Sequence, residues 1–129
     1  MLGTRLTAGA CGLMQVAVGF LYLGPSQWVR RPLPPEQISL VVYIEQAGPW
    51  WVLLFVLSGL MLLIASARSK GFVVGHAAGV FVWAFYGSAI LLGAIFSEPP
   101  TPVLAGAIAV FMAFVHAGLA YGSAERGYR

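Results

Sequence analysis

Within the apolar stretches of this chain, Gln15, Ser58, His76, Ser88 and His116 stand out as polar side chains that could do chemistry. A polar group inside hydrocarbon is costly, so each is a functional candidate by default. Counting outward from the turn at 97–101, His76 lies about 22 residues back and His116 about 17 forward, which sets them ~7 to 8 Å apart in depth at 1.5 Å per residue. Gln15 enters from the same end, and Ala113 and Ala120 flank His116, leaving room for a neighbouring helix. The spacing therefore predicts a polar contact among Gln15, His76 and His116. Three chemistries fit it. The favoured one is an interhelical hydrogen-bond clasp. The second is a proton-sensitive element, because histidine changes charge near neutral pH. The third is a bis-histidine haem site, against which stand the difference in depth and the lack of other supporting residues. No metal-ligand spacing strengthens the third, and no cofactor is expected.

Catalytic groupings are otherwise missing from the sequence. It contains no Asp, its four Glu residues lie outside the apolar stretches, and no Gly-rich loop runs into Lys and Ser or Thr. Hydrolysis and phosphoryl transfer thus have no evident machinery, and a non-enzymatic role is expected. Cys11 is the one cysteine, so no disulfide framework or cysteine-rich metal site can form within the chain. The net charge of +3 comes from scattered basic residues that make no patch, which argues against nucleic-acid binding.

Only 9% of the residues are charged and 60% are hydrophobic, against roughly a quarter charged in soluble domains. A water-soluble globule is excluded. The uncharged stretches 6–29, 46–67, 71–97 and 99–124 can each cross a bilayer, since a spanning helix needs ~20 apolar residues. The first is too long, and too poor in a flanking cleavage pattern, to read as a removed signal peptide. Helices are expected over about 6–23, 50–67, 72–96 and 103–122, forming one all-α domain: an integral-membrane, antiparallel four-helix bundle. Gly24-Pro25 ends the first span. The external loop 24–49 carries Trp28, Arg30 and Arg31 and then a short interfacial segment over 36–46, helical with Pro34 and Pro35 in its first turn, or alternatively an extended strand over Ile38 to Ile44. Trp50 and Trp51 are expected at the headgroup level.

Charge then orients the bundle. Arg5, Arg68, Lys70, Arg126 and Arg129, with Glu125, share one side; Arg30 and Arg31, with Glu36, Glu45 and Glu98, share the other. The positive-inside bias places both termini in the cytoplasm, with the bacterial inner membrane as the expected location.

Because apolar burial cannot drive helix association in lipid, small residues at contact faces matter. Gly71, Gly75, Gly79 and Gly87 form one such line, and Ala105, Ala109, Ala113 and Ala117 another; Ala8 and Gly12 add a pair in the first span. These seams are expected to pack helices within the chain, with self-association or docking on another membrane protein as the alternative.

The opening Thr4-Arg5-Leu6-Thr7-Ala8-Gly9-Ala10-Cys11-Gly12, the run Gly75-His76-Ala77-Ala78-Gly79 leading to Trp83 and Tyr86, and Val115-His116-Ala117 resemble small four-span membrane proteins carried by phages of actinobacteria. Some of those are holin candidates, which implies accumulation in the host inner membrane and assembly into a lesion. A weaker similarity, through Arg5 and a long first external loop followed by short ones, is to DoxX-like membrane proteins. The functional expectation is an accessory or interaction protein acting through helix association, ahead of a holin-like lesion former, with a haem protein third.

Overall fold

The computed structural model describes residues 1–37 and 39–127. The chain is helical: α1 (Leu2–Leu21), a 3-10 turn (Ser26–Trp28), α2 (Leu40–Gln46), α3 (Trp50–Arg68), α4 (Phe72–Ile95) and α5 (Leu104–Glu125), with no strand among the described residues. By length and composition, α1, α3, α4 and α5 are each able to cross a membrane.

α1 begins at Leu2 rather than near Leu6, because Arg5 does not bound the helix. The Arg5 Nε–H donates to the Ser66 carbonyl at 2.9 Å, and the Ser66 hydroxyl donates back to the Arg5 carbonyl at 2.8 Å. The charge thereby satisfies a last-turn carbonyl of α3 that has no acceptor role left within its own helix. α5 likewise continues through Glu125, past the expected end at 122.

In the long connection, helix starts only at Leu40, where Ser39 is the N-cap and its hydroxyl accepts from the Val42 N–H at 3.4 Å. Pro34 and Pro35 therefore precede α2 rather than forming its first turn. Residues 40–44 are helical, not extended, and Ile38 lies outside the described residues. Gly48, at φ +153°, turns the chain from α2 into α3, a backbone region that side chains with a Cβ seldom occupy. Gly71, at φ +83°, does the same between α3 and α4, and nothing lies within 4 Å of where its Cβ would be. Its part is to make the link rather than to pack a seam.

α1 packs most extensively against α3, and α4 against α5; α3 and α4 join the two pairs, and α2 lies on α4 and α3. At the α1–α3 contact, a Cβ on Gly12 would stand 2.8 Å from the Gly59 carbonyl, and one on Gly59 would stand 2.7 Å from the Gly12 carbonyl. The backbones meet there directly, as small-residue packing requires. The paired residues advance in opposite directions along the chain: Gly9 meets Ser66, Gly12 meets Gly59 and Gly19 meets Phe55, while His76 meets His116 and Gly87 meets Gly106.

The alanine line on α5 splits. Ala109 and Ala113 are buried, whereas Ala105 and Ala117 are exposed. A strict four-residue spacing precesses by about 40° per step around a helix of 3.6 residues per turn, so it wraps off the contact face. The face that stays against the bundle is spaced three, four, three: Gly106, Ala109, Ala113 and His116. On α4, by contrast, Gly75, Gly79 and Gly87 all face neighbours, respectively Leu62, His116 with Gln15, and Val110 with Gly106.

Candidate functional site

Each of the four long helices sends one polar side chain to a common buried site: Gln15 from α1, Ser58 from α3, His76 from α4 and His116 from α5, none more than 3% exposed. The Ser58 hydroxyl donates to Gln15 Oε1 at 2.6 Å, with the Phe55 carbonyl a second acceptor at 3.2 Å. Gln15 Nε2 lies 3.0 Å from His116 Nε2, and His116 Nδ1 lies 3.0 Å from His76 Nδ1. The result is a continuous hydrogen-bonded chain through the centre of an otherwise apolar assembly.

Gly79 makes the chain possible. A Cβ there would stand 2.5 Å from His116 Nδ1 and 2.8 Å from Gln15 Nε2. Because Gly79 has no side chain, His116 lies across it and reaches His76 one turn away. This is why the depth difference counted from the turn does not separate the two rings. Their centroids are 5.2 Å apart with planes inclined at 52°. Rings that hydrogen-bond each other leave no space for a porphyrin between them, so the geometry does not fit the haem reading.

His76 also borders a cavity of about 360 Å³ between the start of α1 and the end of α5, which Thr4, Thr7, Ser123 and Arg126 help to line. The polar chain thus runs from a partly open cavity into the interior. Among the described residues, no group of three or more His, Cys, Asp or Glu is placed to hold a metal.

At the other end of the bundle, polar groups are set in aromatic packing. The Tyr22 hydroxyl donates to the Tyr86 hydroxyl at 2.7 Å, and their rings stand edge to face. Trp51, Phe55 and Trp83 surround Tyr86 with centroid separations of 5.1, 5.4 and 6.4 Å. Trp51, expected beside Trp50 at the headgroup level, instead turns its ring inward: it is 1% exposed and its Nε1–H donates to the Val41 carbonyl at 2.9 Å. Burial of that ring requires a partner for the indole N–H, and α2 supplies it. Trp50 and Trp28 are exposed. Arg30 pairs with Glu45, and Arg30 and Arg31 border a smaller cavity of about 170 Å³ against Tyr22 and Tyr86.

Ser58 was visible in the sequence as a polar residue in a span, but nothing there joined it to Gln15, since residues on different helices share no spacing. Gly59, which meets the backbone of Gly12, had no small partner three or four residues away to mark it, and Gly106 lies off the four-residue alanine line, in step with Ala109 and Ala113 only at spacings of three and seven. Tyr22 sits where an apolar span ends, a position at which tyrosine is ordinary.

Comparison with protein-family models, with curated proteins and with solved structures finds no match to this chain.

Proposed function

We propose that the chain is a non-enzymatic accessory protein of the bacterial cytoplasmic membrane: an antiparallel bundle of four spans with both termini inside, which acts by association with another membrane protein. The observation that carries this reading is where the small residues go. Gly12 and Gly59, Gly75, Gly79, Gly87, Ala109 and Ala113 face neighbours within the chain itself. Much of what remains outward on the spans is bulky and apolar, including Leu13, Phe20, Leu57, Phe81, Phe111 and Phe114, with Ala105, Ala117 and Gly118 as small residues left outward on α5. The seams between α1 and α3 and between α4 and α5 are thus taken up within the chain, and large side chains make up much of the surface left to lipid.

A partner is therefore more readily met by the 25–49 segment than by the seams; Trp28 and Tyr43 there are 64% and 71% exposed. The orientation rests on charge. Arg5, Arg68, Lys70 and Arg126, with Glu125, lie at one end, and Arg30, Arg31, Glu36, Glu45 and Glu98 belong to the other. Arg129, counted with the first group from sequence, lies outside the described residues. A phage-encoded role in excluding other phages belongs to this same interaction class and draws on the resemblance to phage four-span proteins.

The test is membrane potential and dye entry in bacteria during titrated expression, against an inert four-span protein at matched levels. An intact potential at high, correctly inserted levels is expected. Abrupt depolarisation at a threshold level would replace this reading with a holin-like lesion former.

A further inference from the structure

The cavity beside His76 has the composition of a binding site. His76 is 1% exposed, its Nδ1 is committed to His116, and no described residue hydrogen-bonds its Nε2. An imidazole nitrogen left open to a cavity on an otherwise buried side chain takes its partner from whatever fills that cavity.

The surrounding groups say what that partner is. Thr4, Thr7 and Ser123 bring hydroxyls, and Arg126 brings a guanidinium whose contact among the described residues is Thr4 Oγ1 at 3.4 Å. Gly3 and Thr4 belong to the first turn of α1, where backbone N–H groups have no acceptor within the helix. No carboxylate is among the described residues that line it. Guanidinium, free amide N–H groups at a helix start and hydroxyls together recognise oxygen-centred negative charge. At about 360 Å³ the cavity accommodates a small molecule.

We propose that this cavity binds a small oxyanion, a carboxylate or phosphate group, which accepts a hydrogen bond from His76 Nε2 and thereby sets the tautomers of both histidines. The buried chain has two complete hydrogen-bonding orders with one proton on each ring. In the first, Ser58 donates to Gln15 Oε1, Gln15 Nε2 donates to His116 Nε2, and His116 Nδ1–H donates to His76 Nδ1, so that His76 presents Nε2–H to the cavity. In the second, the Gln15 amide is turned over. Ser58 then donates to the Phe55 carbonyl and accepts from Gln15, His116 carries its proton on Nε2, and His76 carries its proton on Nδ1 and presents a lone pair. Both orders use the same heavy-atom contacts. An acceptor in the cavity interacts favourably with the first order only, and that differential is what shifts the population. The cavity and the four spans are in this way coupled through Gln15 and Ser58.

The test uses the full chain with 15N-labelled histidine in phosphatidylcholine nanodiscs, titrated with sodium phosphate and separately with sodium acetate while imidazole 15N shifts are read. The expected result is a saturable change to Nε2–H at His76 and Nδ1–H at His116. Arg126→Gln is expected to weaken the apparent affinity by about tenfold or more, since it removes the charged donor. Gly118→Leu fills the cavity from a position with nothing within 4 Å of its Cβ site and favours helix over glycine, so it is expected to abolish the response in a folded protein. Phosphatidylglycerol nanodiscs without added anion separate the sources: the same tautomer change there identifies a lipid headgroup as the occupant, and a change only with added anion identifies a soluble one. The proposal is overturned if none of the three additions changes the tautomers, if Gly118→Leu responds like the parent, or if Arg126→Gln binds undiminished.

Discussion

At the histidine end of the bundle, four side chains from four helices meet through single hydrogen bonds, and the space they occupy exists because Gly79 has no Cβ. At the tyrosine end, one hydroxyl pair sits beside a cluster in which Trp51 and Phe55 meet Tyr86 edge to face and Trp83 meets Phe55 the same way. The first site is buried and the tyrosine pair partly so, and they respond differently to a lost atom. In the chain, removing an inner member, Gln15 or His116, takes a partner from the groups on both sides of it, and an unsatisfied buried group costs about 1–3 kcal/mol. In the cluster, a lost hydroxyl leaves the ring contacts in place.

The sharpest way to break that contrast is Gly79→Ala. Its Cβ would collide with both His116 and Gln15, so overpacking adds to disrupted hydrogen bonds, and a loss of about 3 kcal/mol or more is expected in reversible unfolding from detergent. Gly118→Ala on the neighbouring helix, where space is open, is the control and should be neutral or slightly stabilising. Next is Gln15→Leu, which leaves Ser58 and His116 without their shared partner; about 2 kcal/mol is expected by the same measurement. Adding Ser58→Ala to Gln15→Leu should change that loss little, because the Ser58 hydroxyl keeps the Phe55 carbonyl as an acceptor and the stranded group is His116.

At the other end, Tyr22→Phe deletes the hydroxyl pair and should cost only about 1 kcal/mol, since the ring contacts remain. The smallest effect is expected from Trp83→Phe. Trp83 Nε1 is buried with no hydrogen-bond partner among the described residues, so replacing the indole removes an unsatisfied donor while keeping a ring beside Phe55, and the net change should fall within about 1 kcal/mol of zero. A larger loss for Tyr22→Phe than for Gln15→Leu would reverse the comparison.

The four long helices were legible because their evidence is local: an uncharged run of sufficient length reads as a span wherever it lies. Their ends were less legible. Arg5 marks a boundary by hydropathy, but its guanidinium is taken up by the end of α3, a partner far away in sequence. The histidine contact was foreseeable from residue type and membrane side, as was the involvement of Gln15. Its closeness was not, because that depends on Gly79 offering room to His116. The alanine line on α5 misled for a geometric reason, since a four-residue period drifts around the helix and the packed face alternates three and four. Trp51 misled as well: aromatic residues near a span's end suit the interface, and only the position of the Val41 carbonyl on α2 turns this one inward.

A chain of hydrogen bonds joins all four long helices, and its last link is the contact between two imidazoles. The most direct measurement is a through-hydrogen-bond 15N–15N coupling between the Nδ1 atoms of His76 and His116 in the lipid-embedded protein. A resolved coupling, lost in Gly79→Ala, is the predicted result. Two rings without mutual coupling, each exchanging its protons with water independently of the other, would contradict it.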